Sequence, residues 1–483
     1  MVSAVCLVIL PLISFFVVLQ RYRQQTAFAV PRGRGCKDPP YLRNGLVLGL
    51  DRILQILQAD SEGWLMELFS THFKIWGPTL KHKFLGDEAI GTIEPQNLRA
   101  MLSTQFEDWS LEPRPRIMGP LFGRGIFTQS GASWSRLRNM FRGQLAARNY
   151  EDCIILAAPM DNLLRTLSES GGTAELQPYI LTFTLEVMMV LLFGEQVMND
   201  LMDQEFSDAF NDAQSTLAKR MRLPGLYWLY DGHYFRRSCT TVKEYVDRYV
   251  GRYLSDHNDD PHLIRDQVIN LLVAGRDTTA SLITWTIFLL VRHPSVLAKL
   301  RQEISNSFLN NESLTRSTLR ASPYLQQVLR ETLRLYPPVP VNSRRATRDT
   351  TLPTGGGADH SLPILVPGGT TVAYSVYAMH RRPELYGTDA AMFRPERWTA
   401  EHEVDGRALD SFEYLPFNGG PRVCLGMDFA LIEAAYCIVQ IIKTFSDIHL
   451  PKGQKVSVVG CEKQSVGLVM FSADRCRVTL MEE

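Results

Sequence analysis

Apolar positions recur at helical spacing through most of residues 150–255, and 174–193 is the clearest stretch. Residues 266–291 form a longer, largely apolar run without internal proline, and 427–445 read the same way. Short alternating runs lie between. Residues 81–84 and 89–93, separated by Gly86-Asp87, predict a β-hairpin, and Pro95 can open the next helix. Residues 351–357 (T-L-P-T-G-G-G) and 364–374, with Pro367-Gly368-Gly369 inside, predict hairpin strands. Residues 108–128 hold Pro113, Pro115 and Pro120 with Gly119, Gly123 and Gly125, which predicts a long loop. Its Trp109, Leu111, Ile117, Leu121, Phe122, Ile126 and Phe127 suit contact with an apolar ligand, or plain packing of the loop onto the core. The pattern as a whole predicts a mostly α chain with small β-sheets. Nothing after Pro39 reads as a linker, repeat or low-complexity segment, so residues 46–483 are expected to form one large domain.

The first residues have a different pattern. Residues 2–19 are apolar apart from Ser3, Pro11 and Ser14, and Arg21 and Arg23 follow. A helix of that length spans roughly 27 Å, about one hydrocarbon core. We expect a transmembrane signal-anchor over 1–20 and a basic, Pro-rich linker over 21–45, with the body cytosolic by the positive-inside rule. The rival is a cleaved signal peptide ending at Ala27-Phe28-Ala29, but no positive charge precedes the apolar run. Lys and Arg (51) balance Asp and Glu (51), so whole-chain charge gives no case for nucleic acid. The eight cysteines show no C-x-x-C and no zinc spacing, and a reducing compartment fits better than a disulfide framework.

Candidate chemistry centres on Phe417-Asn418-Gly419-Gly420-Pro421-Arg422-Val423-Cys424-Leu425-Gly426. Glycines flank a single cysteine just before a helix, and such residues let backbone approach something flat. Arg422 can offer a cationic fork to a carboxylate. The reading is a thiolate held as an axial metal ligand beneath a planar cofactor; the plain alternative is a buried cysteine in a turn. Trp134 and Arg138, at i and i+4, share a helix face and could both reach a cofactor carboxylate, although the pair alone is weak. Within 266–291, Ala274-Gly275-Arg276-Asp277-Thr278-Thr279 combines a helix-weakening Gly with a Thr that can divert backbone hydrogen bonds. A deformed turn with an acid and an alcohol suits O₂ binding and proton transfer. Glu331 and Arg334, three apart among apolar neighbours, suggest a buried ion pair. Gly355-Gly356-Gly357 is followed by no G-K-S/T, which argues against a nucleotide site.

The pattern F-x-x-G-x-R-x-C-x-G over Phe417–Gly426 resembles the haem-binding loop of the cytochromes P450. Asp277-Thr278 looks like that family's acid-alcohol pair, Glu331-x-x-Arg334 its E-x-x-R, and Pro395-Glu396-Arg397-Trp398 its P-E-R-W, which makes Arg397 the third member of a structural triad. The resemblance spans nearly the whole chain. It is greatest to the fungal alkane and fatty-acid ω-hydroxylases, carried by residues 36–40, 125–128, 265–267, 274–279, 335–344, 378–381 and 414–420. It implies the cytochrome P450 fold and haem b with Cys424 as metal ligand. Trp134, Arg138, Arg344 and Arg422 would meet haem propionates, with Phe417 and Gly426 against the ring. Ala274 stands where animal fatty-acid ω-hydroxylases carry a haem-esterifying Glu, so the haem is expected to be non-covalent. NADPH-cytochrome P450 reductase, with cytochrome b5 as a possible second donor, would supply electrons at the endoplasmic-reticulum membrane.

Three departures bear on substrate. The segment 252–263 is short, residues 141–145 read F-R-G-Q-L where Pro and Phe are usual, and the access-channel helices over about 204–245 diverge. The expected activity is hydroxylation of an unactivated C–H in a fatty acid, alkane or similar chain. Alternatives are a tailoring oxidase of fungal secondary metabolism (polyketide or terpenoid), a haem-thiolate isomerase or dehydratase, and a non-catalytic haem carrier. Asp277-Thr278 argues against the last two.

Overall fold

The computed structural model describes residues 35–482 apart from 44, 47–48, 85–86, 148–150, 195–203, 224, 254–259, 309–313, 400–411 and 455–461. The expected anchor, over 1–20, lies outside these residues, as does most of the linker. Seven helices organise the site: α1 (Arg114–Phe122), α2 (Gly131–Ala147), α3 (Leu176–Phe193), α4 (Gln204–Arg222), α5 (Pro261–Leu290), α6 (Pro323–Leu335) and α7 (Met427–Thr444). The 30-residue α5 is buried along most of its length. It starts where Asp260 accepts a hydrogen bond from the His262 N–H, and Pro261 opens the first turn at no hydrogen-bonding cost. Helix α3 is apolar and long enough to cross a membrane, but 61% of its apolar window is buried inside the fold, as in a core helix. The two helices approach very closely. A Cβ on Gly275 of α5 would lie 2.1 Å from Met188 Sδ of α3, so any larger residue there would have to displace the Met188 side chain. The other side of α5 is tied down by Ser281 and Trp285, which both donate to the Met470 carbonyl at 2.7 and 3.1 Å. Trp285 also stacks on Tyr336 with centroids 3.8 Å apart.

A second, smaller core lies over a five-stranded sheet ordered β1 (Thr79–Phe84), β2 (Asp87–Thr92), β8 (Thr371–Ser375), β5 (Val341–Ala346) and β3 (Trp109–Ser110). β1 and β2 form the predicted hairpin, and Pro95 opens the helix Pro95–Arg99. β2 and β8 run parallel. β6 (Thr350–Gly356) and β7 (Leu362–Val366) make a separate ribbon. The hairpin expected within 364–374 is therefore corrected: both strands exist but belong to different sheets. Thr370 N–H bonds back to Pro367, while Gly369 N–H donates to Ala346 of β5, which steers the chain from one sheet to the other. The glycine-rich run 355–357 falls at the end of β6. A Cβ on Gly356 would come within 2.4 Å of the Lys37 carbonyl.

The long loop expected over 108–128 is also corrected. It contains β3 and α1, and Ile117, Leu121 and Phe122 pack into the main core. Pro113 and Pro115 lie at the cap and first turn, where a missing N–H costs little. Pro120 leaves the Arg116 carbonyl without its helical donor, and the Arg220 guanidinium of α4 donates to it at 3.3 Å. After α1, Asp266 and Asn270 of α5 hold the chain through the N–H groups of Arg124 (2.8 Å) and Phe127 (3.2 Å). Helix α3 begins at Leu176 rather than 174, because Thr173–Glu175 pairs as β4 in a small C-terminal sheet.

Candidate active site

The cysteine loop is built by two left-handed residues, Asn418 (φ 62°) and Gly420 (φ 64°). Gly420 is pressed against a neighbour, since a Cβ there would sit 1.8 Å from the Leu102 carbonyl oxygen. The loop closes when Cys424 N–H donates to the Phe417 carbonyl at 2.9 Å. Gly426 caps α7, and a Cβ added to it would meet no atom within 4 Å. Cys424 is itself exposed, so the loop is open at the cysteine. It is nonetheless closely surrounded by protein, which raises its thiol, while the Gly426 N–H and Arg138 act in the opposite direction. Holding it as a thiolate calls for an opposite charge close by, such as a metal.

Around this loop four buried or half-buried guanidiniums converge: Arg114 from α1, Arg138 from α2, Arg344 from β5 and Arg422 from the loop itself. Arg422 stands 4.3 Å from the Trp134 ring centroid and Arg138 5.7 Å, so the indole is shared by two cations. Arg422 donates to the Gln129 carbonyl at 2.9 Å. Arg114 and Arg344 both donate to Asn342 Oδ1, the latter at 3.2 Å. Arg114 Nε has no partner. Burial, then Arg344, Arg114 and Arg138, push Arg422 down to about 9. Burial and Arg344 push Arg114 down to about 10. Among the described residues no carboxylate pairs with any of the four. A cleft of about 310 Å³ lined by Phe106, Trp109, Trp134 and Arg422 opens beside them. The sequence-predicted Trp134, Arg138, Arg344 and Arg422 are therefore brought together. Arg114 was missed, because its segment reads as a loop.

Across α5, Asp277 and Thr278 diverge. Helix α5 runs unbroken through this turn, contrary to the expected deformation. Thr278 is partly exposed and its hydroxyl donates to the Ala274 carbonyl at 2.5 Å. Asp277 is buried and turns towards α4; burial raises its carboxyl, and Arg276 and Gln214 act against that.

Residues 47–263 and 255–469 match the family model for cytochrome P450. The chain belongs to the cytochrome P450 family. It is 37% identical over 510 residues, 98% of each chain, to "Cytochrome P450" of Arthroderma benhamiae. It is 40% identical to "Cytochrome P450 52A5" of Candida maltosa over 77% of this chain and 78% of that one. Among solved structures, the haem domain of cytochrome P450DA covers 93% of this chain and 99% of its own, with TM-score 0.77 and 21% identity, a likeness of fold. The Candida relatives named cytochrome P450 52A support the resemblance to the fungal alkane and fatty-acid hydroxylase group. The chain is accordingly a P450 monooxygenase, and the family implies a haem held by a cysteine thiolate.

This P450's own residues fit that group. Four guanidiniums without internal carboxylates, an orphaned Arg114 Nε and an uncovered Gly426 beside Cys424 suit a flat ligand with acidic substituents. Farther from the cysteine, the P450 carries a second arginine site that is satisfied internally. Glu331, fully buried, accepts from Arg334 at 2.7 and 2.9 Å, from Arg397 at 3.4 Å and from the Trp398 indole at 3.0 Å. Arg334 also donates to the carbonyls of His380 (2.7 Å), Ala390 (2.6 Å) and Met392 (3.1 Å). The bonds from Arg397 and Trp398 and those to the carbonyls of His380, Ala390 and Met392 join α6 to the turns of residues 380–398, upstream of the cysteine loop.

Proposed function

We propose that this P450 hydroxylates an unactivated C–H of a fatty acid, an alkane or a similar aliphatic chain. The overall reaction consumes O₂, NADPH and one proton with the substrate, and yields the alcohol, water and NADP⁺. The observation that carries the cofactor reading is the set of unpaired guanidiniums around the cysteine loop. The resemblance to ω-hydroxylases and the P450 52A relatives support the aliphatic substrate.

In this reading Cys424 binds the haem iron through its thiolate. Arg114, Arg138, Arg344, Arg422 and Trp134 would orient the haem carboxylates, and Phe417 and Gly426 would lie along the ring. Bound haem-thiolate supplies the activation of O₂ and the transfer of one oxygen atom to carbon. The chain's own contribution is access, orientation and protons. Thr278 would exchange its hydrogen bond to Ala274 for one towards the cofactor side of the site, and Asp277 would replenish its proton. The triad of Glu331, Arg334 and Arg397 keeps the loop seated. NADPH-cytochrome P450 reductase, with cytochrome b5 as an auxiliary donor, would deliver two electrons. The apolar N-terminal segment would hold the enzyme at the endoplasmic-reticulum membrane with its catalytic body in the cytosol.

The test is product analysis of microsomes carrying the enzyme with reductase and NADPH, fed medium- and long-chain fatty acids and alkanes. Terminal alcohols or diacids are the expected result. No oxidised product from a sample whose carbon monoxide spectrum shows intact thiolate ligation would sink the aliphatic reading. It would turn the search towards tailoring of a secondary metabolite.

A further inference from the structure

Arg276 and Asp277 are neighbours in sequence on α5, and adjacent helical residues point about 100° apart. Yet their side chains form an ion pair at 3.3 Å, both buried. Their own attraction can draw them together, and one further element holds the arrangement from outside α5. That element is α4. Asn211 Oδ1 accepts from Arg276 Nη1 at 3.0 Å, and the buried Gln214 faces Asp277 across the two helices. Asn211 and Gln214 are three residues apart, hence on one face of α4. Phe210, just before them, puts its ring 5.2 Å from the Arg276 guanidinium carbon. No other carboxylate among the described residues pairs with Arg276, so α4 supplies the rest of its support.

We propose that α4 is a clasp on the acid of α5: Asn211 and Gln214 are positioning residues that hold Arg276 and Asp277 in one arrangement and so aim Asp277 for proton delivery. This rests on the reading of Asp277 as the proton-supplying acid. Neither amide need touch substrate or cofactor. The clasp also gives Arg276, in the middle of A-G-R-D-T-T, a role as the link between the two helices.

The test uses full-length, haem-loaded enzyme with reductase, and compares Asn211→Leu, Gln214→Met, Asn211→Asp and Asp277→Asn with the parent. Two quantities are read: hydrogen peroxide released per NADPH consumed, and hydrogen exchange of the amides of residues 274–279. Misplacing a proton-transfer group typically costs a fraction of its full effect, so Asn211→Leu and Gln214→Met should each raise peroxide release about three- to tenfold. Exchange in that turn should quicken in both. Asn211→Asp, which still offers Arg276 an oxygen, should stay near the parent. Asn211 sits at the exposed rim of α4, so its variants remain informative if Gln214→Met fails to load haem. Raised peroxide in Asp277→Asn with parental values in Asn211→Leu and Gln214→Met would overturn the clasp alone. Parental peroxide in Asp277→Asn would overturn the proton-delivery reading, and with it the purpose given to the clasp.

Discussion

Arg334 and Arg422 are both held largely away from water, and only Arg334 is answered inside the chain. Arg334 meets Glu331 through two bonds and three carbonyls besides. The carboxyl of Glu331 is correspondingly held below its usual range: burial opposes the shift, but Arg334 and Arg397 outweigh it. Arg422 has one carbonyl and an indole face, and around it stand three more cations. The contrast teaches how to separate a structural cation from a ligand-binding one. A buried guanidinium is costly unless its charge and donors are met. Where the chain meets them, the residue serves the fold. Where it does not, the balance comes from solvent or from a bound molecule, and the proposed ligand is of that kind.

The contrast can be broken most forcefully at Glu331. Glu331→Ala leaves Arg334 buried without its carboxylate, and removal of one partner of a buried pair typically costs about 3–5 kcal/mol. We expect a large fall in the midpoint of chemical denaturation, with or without haem. A stability within about 1 kcal/mol of the parent would show that the pair is replaceable by its surrounding carbonyls. Arg422→Leu should have the opposite profile. Losing a charge-assisted bond to a carboxylate should weaken haem binding about 10- to 100-fold. Apoprotein stability should hold or rise, because a like-charge neighbour of Arg344, Arg114 and Arg138 is gone. Equal losses in apo and loaded protein would erase the distinction.

A pH series sharpens the paired side. His380 is fully buried, lies 3.0 Å through Nδ1 from the Arg334 carbonyl, and accepts from Leu415 N–H at Nε2. Those partners require the neutral ring. Burial, with Arg334 and Arg381 nearby, pulls its pKa from 6.5 to about 3. The unfolded chain therefore binds the proton first. His380's contribution is complete above pH 6.5 and is lost as pH falls towards 3, by about 2 kcal/mol at pH 5. Denaturation midpoints from pH 7 to 5 should fall less in His380→Gln than in the parent; parallel curves would refute the assignment. The smallest effect belongs to Arg114→Gln, which keeps a donor towards Asn342. Haem affinity should drop about three- to tenfold, as for one weakened hydrogen bond, measured by transfer of haem to a competing apoprotein.

The parts of the site that sequence made legible are those with short spacing and distinctive residue types. The loop of Phe417 to Gly426, the pair Trp134 and Arg138, and Glu331 with Arg334 each span a few residues, so local geometry brings their members together. Arg114 was hidden for a physical reason. Three prolines make 108–128 look broken, and the helix survives because two of them fall at its start and a guanidinium from α4 serves the carbonyl that Pro120 leaves bare. No local pattern carries that information. The same holds for Arg276: its partner on α4 is 65 residues away, and only the packing of two helices reveals it. β7 and β8 show the converse case, where a strong turn signal was right about the turn and silent about which sheets it joins.

The contact between Gly420 and the Leu102 carbonyl also carries a timetable. The two residues belong to opposite ends of the chain, and the guanidiniums around the cysteine are scattered between and beyond them. On the ribosome the chain grows at about 5–20 residues per second, so roughly three hundred residues separate the two surfaces by about 15–60 s. The seat for the cysteine loop is synthesised early and must wait, uncovered, for its counterpart. Helix α7, which anchors the loop from behind, emerges later still. Haem cannot find its complete site on a nascent chain, and its insertion falls after synthesis has passed α7.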